Sequence, residues 1–177
     1  VSPPEHVVAD VLVMGDWPLP PLANITEAPV VRPDGTILEQ SGYDIATRLY
    51  YAPAGNLNAP RVPLIPTPEQ VAGAVALLEE VFSEFPYVGD ASRANLFGLL
   101  LTPILRPVIT GPVPMALIDA PQQGTGKSLL AELVSIIATG RMAAMLSAPG
   151  DNDEWRKSLT STFREAAAVI TIDNVEG

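Results

Sequence analysis

The sequence contains no cysteine, which excludes disulfides and thiolate-bound metal. Histidine occurs once, as His6 near the first residue and without ligand spacing, so nothing is assigned to it and no Ser-His-Asp arrangement is readable. Lysine is almost as scarce, with only Lys127 and Lys157. Charged residues make up just 17% against 47% hydrophobic, the reverse of the balance that keeps a chain disordered. Bases are outnumbered by acids, for a formal charge of −10. That excludes a general electrostatic binder of nucleic acid, so any DNA contact must be local or come from parts of a longer protein. No basic segment followed by an apolar run opens the chain. The most apolar stretch, residues 94–118, carries Arg106 and four prolines, which suits a protein interior better than a bilayer. The expectation is a cytoplasmic protein without a membrane partner.

What the chain does have is proline, 19 residues in 177, about twice the usual share. The prolines are dispersed rather than periodic, so neither a collagen helix nor a polyproline rod fits; they concentrate in residues 1–66 and around 103–121. The length suggests one domain plus an appendage, enough to bury a core. Residues 1–66 read as a proline-rich N-terminal region with short β elements. Glu5 to Met14 is expected as a helix with Val7, Val8, Val11 and Leu12 on one side. Pro33-Asp34-Gly35 between two β-prone runs is a turn signal, because proline presets φ and glycine accepts a left-handed step. With Gly42-Tyr43-Asp44 and Arg48 to Tyr51, a small β-meander packed by tyrosines is expected. Residues 52–66 read as a linker.

A second region, 67–177, begins with a helical lead-in over 67–110. Thr67-Pro68-Glu69-Gln70 has the residues of a capping box with proline at the first helical position. Val71, Val75, Leu78, Phe82 and Phe85 then recur on one helical face. Another helix, apolar nearly all round and therefore expected to be buried, should start at Asp90 and kink or end near Pro103.

The chemistry concentrates in residues 111–177. Met115 to Ile118 is a short apolar run, expected as a buried parallel strand. Asp119-Ala120-Pro121-Gln122-Gln123-Gly124-Thr125-Gly126-Lys127-Ser128 follows, and then a helical face of Leu129, Leu130, Leu133, Val134 and Ile137 that stops at Thr139-Gly140. Strand, glycine-rich loop ending in Gly-Lys-Ser, and helix form the context of a phosphate-binding P-loop. Glycines let backbone amides turn inward without a Cβ clash, and the helix start adds its positive dipole end. The amides of Gln123, Gly124, Thr125, Gly126, Lys127, Ser128 and Leu129 are the candidate cradle for a nucleotide. Lys127 would reach the β- and γ-phosphates, and the Ser128 hydroxyl would ligate Mg²⁺. A glycine turn before a solvated lysine is the competing reading, yet Gly-x-Gly-Lys-Ser/Thr arises by chance in well under about 1% of chains this long. Pro121 stands where the full pattern has glycine; it lacks an N–H, so the phosphate-facing donors should lie later in the loop.

Ala168 to Asp173 is a second apolar strand ending in an acid, 46 residues after Lys127. Asp173 is the candidate to hold Mg²⁺ through its water shell, in the manner of a Walker B acid. A short strand from Met142 to Ser147 and a helix carrying Trp155, Leu159 and Phe163, with Asp153 as its cap, should lie between. Asn174 occupies the place where many ATPases carry the glutamate that activates water. An amide orients water but is a poor base, so hydrolysis is slow, or the base lies elsewhere, or Asn174 only positions the water. Arg156, Lys157 and Arg164 on the Trp155 helix suit a solvated face, or a surface toward DNA or another subunit.

The stretch from Asp119 to Ser128 resembles the AAA+ form of the P-loop. Together with Arg32-Pro33-Asp34-Gly35, Gly42-Tyr43-Asp44, Glu154-Trp155-Arg156-Lys157 and Ile172-Asp173-Asn174, the order of parts is similar to helicase-type ATPase domains of phage and mobile-element primase–helicase replication proteins. The resemblance spans most of residues 30–177, with specificity in the P-loop and Asp173. It implies an α/β fold: a three-layer P-loop NTPase core with a parallel sheet, left incomplete here, a helical lead-in and a small β-containing N-terminal region. It also implies ATP with Mg²⁺, catalytic roles for Lys127, Asp173 and Asn174, DNA as a partner of a full-length protein, and a homo-oligomeric ring. A polar sensor and an arginine finger would have to follow Gly177, so the chain is expected to be a fragment. A nucleotide-binding module without turnover is the alternative; a small-molecule kinase would need an acceptor site and lid that are not readable.

Overall fold

The computed structural model describes residues 2–15, 17–53, 60–122, 124–165, 167–173 and Val175. The first helix, α1 (Glu5–Met14), ends on left-handed Gly15 and buries none of its residues. Two small sheets follow. Strands β2 (Val30–Val31) and β3 (Ile37–Leu38) form an antiparallel hairpin across Pro33-Asp34-Gly35. Gly35 sits at φ 82°, and Asp34 accepts hydrogen bonds from the Thr36 amide at 2.9 Å and hydroxyl at 2.6 Å. Strands β1 (Asn24–Thr26), β4 (Gly42–Asp44) and β5 (Leu49–Tyr51) form a mixed sheet in the order β1-β5-β4. The β1–β5 pair is parallel, so the region is not the plain meander that local signals suggest. Pairing between residues about 25 apart leaves no mark in either segment alone.

Val30, Leu38 and Tyr51 form the core of this region. The Arg32 guanidinium bridges it, pairing with Asp44 at 2.9 Å and donating to the Ile37 carbonyl at 2.8 Å. Tyr43 donates to the Pro21 carbonyl at 2.9 Å, whereas Tyr50 is exposed.

The larger core lies among three helices: α2 (Pro68–Phe82), α3 (Asp90–Leu105) and α4 (Lys127–Thr139). Phe82, Leu96, Leu100, Val134 and Ala138 are buried there, with Leu78, Phe85, Leu130 and Leu133 packed around them. The start of α2 carries the expected capping box: Thr67 accepts from the Gln70 amide while the Gln70 side chain accepts from the Thr67 amide. Its first half leaves Val71 and Val75 exposed, and only Phe82 is buried. Helix α3 continues through Pro103 and passes into a 3₁₀ turn at Arg106–Val108. Only Leu96 and Leu100 of α3 are buried, fewer than its apolar composition suggests. It also contacts β2, which joins the two cores. Glu27 and Arg141 form an ion pair across the same divide.

Beyond α4, which Gly140 ends at φ 77°, strand β6 (Ala144–Ser147), helix α5 (Asn152–Arg164) and strand β7 (Ile170–Asp173) form a β-α-β unit. The strands pair in parallel from Ala144↔Ile170 to Ser147↔Asp173. Parallel neighbours require such a crossover, and the helix supplies it. The cap of α5 is Asp151, which accepts from the amides of Asp153 and Glu154, and not Asp153 two residues later.

Residues 109–120 carry no regular hydrogen-bonded element, so Met115 to Ile118 is not a strand. Among the described residues β7 pairs only with β6, and an apolar run becomes a strand only against a partner. Pro112 and Pro114 withhold two of the nearby donors. Met115 and Leu117 are accordingly 86% and 84% exposed.

Candidate functional site

The Gly-Thr-Gly-Lys-Ser segment forms the entry to α4. Gly124 and Gly126 both take left-handed backbone angles, φ 78° and 87°, which L-residues with a Cβ adopt at a cost. Between them the Thr125 hydroxyl donates to the Gln122 carbonyl at 3.1 Å. Gly126 is the N-cap residue, and its carbonyl accepts from the Leu130 amide at 2.8 Å. Lys127 and Ser128 therefore fall in the first helical turn, where amides have no intrahelical acceptor. Lys127 is partly buried, while Ser128 and Leu129 are exposed. Gln123 and Asn174 lie outside the described residues.

The electrostatics of this helix start differ from those of the other described helices. The amides of α2 and α5 receive side-chain caps, from Thr67 and Asp151. Helices α1, α2, α3 and α5 each carry an acid in the first turn: Glu5, Glu69, Asp90, and Asp153 with Glu154. Helix α4 has neither a side-chain cap nor a first-turn acid, and its first residue is a lysine. No side chain of the cap or the first turn compensates the positive end of its dipole, a condition that favours an anion there. These features fit a phosphate group.

Asp173 is the last residue of β7, partly buried, and its carbonyl accepts from the Ala148 amide at 3.1 Å. It thus lies at the carboxyl end of a parallel strand, where open α/β sheets gather their ligand-binding groups. Helix α4 packs chiefly on α3, and the β6–β7 pair chiefly on itself, so the two halves of the candidate site belong to different packing units. No group of three or more His, Asp or Glu side chains gathers among the described residues.

On α5, Arg156, Lys157 and Arg164 are exposed and line an open depression of roughly 370 Å³ with Thr160 and Ser161.

A contact that sequence reasoning missed reaches the loop from the lead-in helices. A Cβ placed on Gly126 would meet the Phe85 ring at 3.2 Å. Phe85 reads in the sequence only as the last member of an apolar series, and nothing local signals its neighbour.

No helix among the described residues is long and apolar enough to cross a membrane. Comparison with protein-family models, curated proteins and solved structures finds no match to this chain.

Proposed function

We propose that the chain is the nucleotide-binding part of an ATP-hydrolysing, helicase- or primase-like motor of the P-loop class, acting in DNA replication of a phage or mobile element. The observation that carries the reading is the start of α4. In the string Gly124-Thr125-Gly126-Lys127-Ser128, both glycines are left-handed, and the helix has no side-chain N-cap and no acid in its first turn. The parallel β6-α5-β7 unit ending in Asp173 adds support, since P-loop cores are built from such units. The reading extends to a three-layer α/β core, to a cytoplasmic location, and to a ring of copies on DNA.

In this reading the loop amides from Gly124 to Leu129 bind and orient the phosphates, and the Lys127 ammonium neutralises charge on the β- and γ-oxygens. Ser128 and Asp173 would hold Mg²⁺, which when bound would supply neutralisation of phosphate charge. Asn174 orients the attacking water without accepting its proton.

Asn174, in the place of an acidic base, favours a second reading: a module that binds nucleotide without turnover. Phosphate release from MgATP, measured with and without single-stranded DNA, separates the two. Repeated turnover that DNA accelerates supports the motor. Binding without release supports the module, and absence of binding contradicts both.

A further inference from the structure

We infer that Phe85 is a positioning residue for the α4 loop: its ring props the backbone of Gly126 in the left-handed form and so aims the first amides of α4. The inference rests on the proposed reading for its effect on phosphate, but its structural half does not.

Phe85 lies three residues beyond the end of α2, in a turn held at both ends. Phe82 is 2% exposed at the centre of the helical core. The Tyr87 hydroxyl donates back to the Phe82 carbonyl at 3.1 Å, and the Tyr87 amide donates to the Phe85 carbonyl at 3.0 Å. The Phe82 and Phe85 rings lie 6.3 Å apart, tilted at 45°, a favourable aromatic arrangement. The Phe85 side chain is thus fixed by the core on one side. On the other, its Cε1 and Cδ1 atoms lie 3.2 and 3.7 Å from where a Cβ on Gly126 would be.

Gly126 is constrained twice. Its φ of 87° favours glycine, and the ring occupies the space a side chain would need. No such neighbour stands behind Gly124, whose Cβ direction is open to 4 Å. Beside the Thr125 hydroxyl's bond to the Gln122 carbonyl, the ring supports the loop directly before the turn that presents the amides of Lys127, Ser128 and Leu129. Removing the ring lets the Gly126 peptide rotate, and the amides that should converge on one oxyanion diverge. The ring also ties the loop to α2, so a displacement of the lead-in helices is transmitted to the phosphate site.

The test compares the parent with Phe85→Ala and with Phe85→Leu, which keeps apolar volume for the core while withdrawing the ring edge. Hydrogen exchange is read at the Leu130 amide, which donates to the Gly126 carbonyl and so reports on the loop, and, as reference, at the amides of Leu96 to Leu100. MgATP affinity is measured on the same samples. The expected result is a rise of about tenfold or more in loop exchange in both variants, with the α3 reference within about twofold of the parent. MgATP affinity should fall about tenfold. Unchanged loop exchange, or an equal rise at the α3 reference, overturns the inference. So does unchanged affinity in variants whose parent binds. A parent that does not bind MgATP contradicts the nucleotide reading alone, and the exchange comparison still decides whether Phe85 props the loop.

Discussion

Alanine at three glycines should give three different outcomes, each fixed by local geometry. At Gly126 the left-handed backbone costs alanine about 1–2 kcal/mol. The new Cβ would also stand 3.2 Å from the Phe85 ring edge, which must then yield. Displacing a ring held by a packed core adds about 1 kcal/mol, the low end of overpacking penalties. The expected loss is thus about 2–3 kcal/mol. At Gly124, φ is 78° and the space is open, so only the backbone cost of about 1–2 kcal/mol applies. Gly73, exposed within α2 with nothing within 4 Å, reverses the sign. Alanine there should stabilise by about 0.5–1 kcal/mol, since glycine loses more freedom on entering a helix. Urea unfolding at constant m-value reads all three. In a Phe85→Leu background the excess of Gly126→Ala over Gly124→Ala should shrink. Equal losses at Gly124 and Gly126, unaffected by Phe85→Leu, would refute the assignment of the ring contact, and a destabilising Gly73→Ala would refute the helical account of α2.

Further perturbations test the remaining supports. Thr67→Ala, which removes the side-chain half of the α2 capping box, should cost about 1 kcal/mol in urea unfolding, and Thr67→Asn should restore most of it. Leu100→Ala, at a side chain 2% exposed among α2, α3 and α4, should cost about 2–5 kcal/mol and loosen both cores, because α3 also contacts β2. Asp44 is held below its ordinary value of 3.8, chiefly by the Thr47 hydroxyl and then by the Thr47 amide and Arg32, against a counteracting desolvation. Its folded pKa lies below the unfolded one, so its contribution is full above about pH 4 and is lost as pH falls through the lowered folded value. Asp44→Asn should flatten that part of the acid unfolding curve, and a curve unchanged by the substitution would contradict the assignment.

The legible parts of the fold are those whose signals are local. Thr67, Pro68 and Gln70 specify the start of α2 within four residues, and Pro33-Asp34-Gly35 specifies the β2–β3 turn. The β-branched run Ile170-Thr171-Ile172 and its terminal acid likewise mark β7 from within. Strand pairing is a different matter. β1 finds its partner in β5 through hydrogen bonds that neither sequence announces, and Met115 to Ile118, an apolar run, joins no ladder among the described residues. The loop glycines and Lys127 are readable because phosphate binding demands residue types at fixed spacing. The Phe85 contact is not, because it joins residues 41 apart through packing alone. Uncapped α4 is an intermediate case: the absence of Ser, Asp or Asn at position 126 can be read from sequence, yet its meaning depends on knowing where the helix begins.

The central claim is that the start of α4 binds a triphosphate. Titration calorimetry of the chain with MgATP, alongside Lys127→Ala, tests it most directly. Saturable one-to-one binding that weakens at least about tenfold on loss of the ammonium is the expected result. No binding by the parent, or equal binding by both proteins, would contradict it.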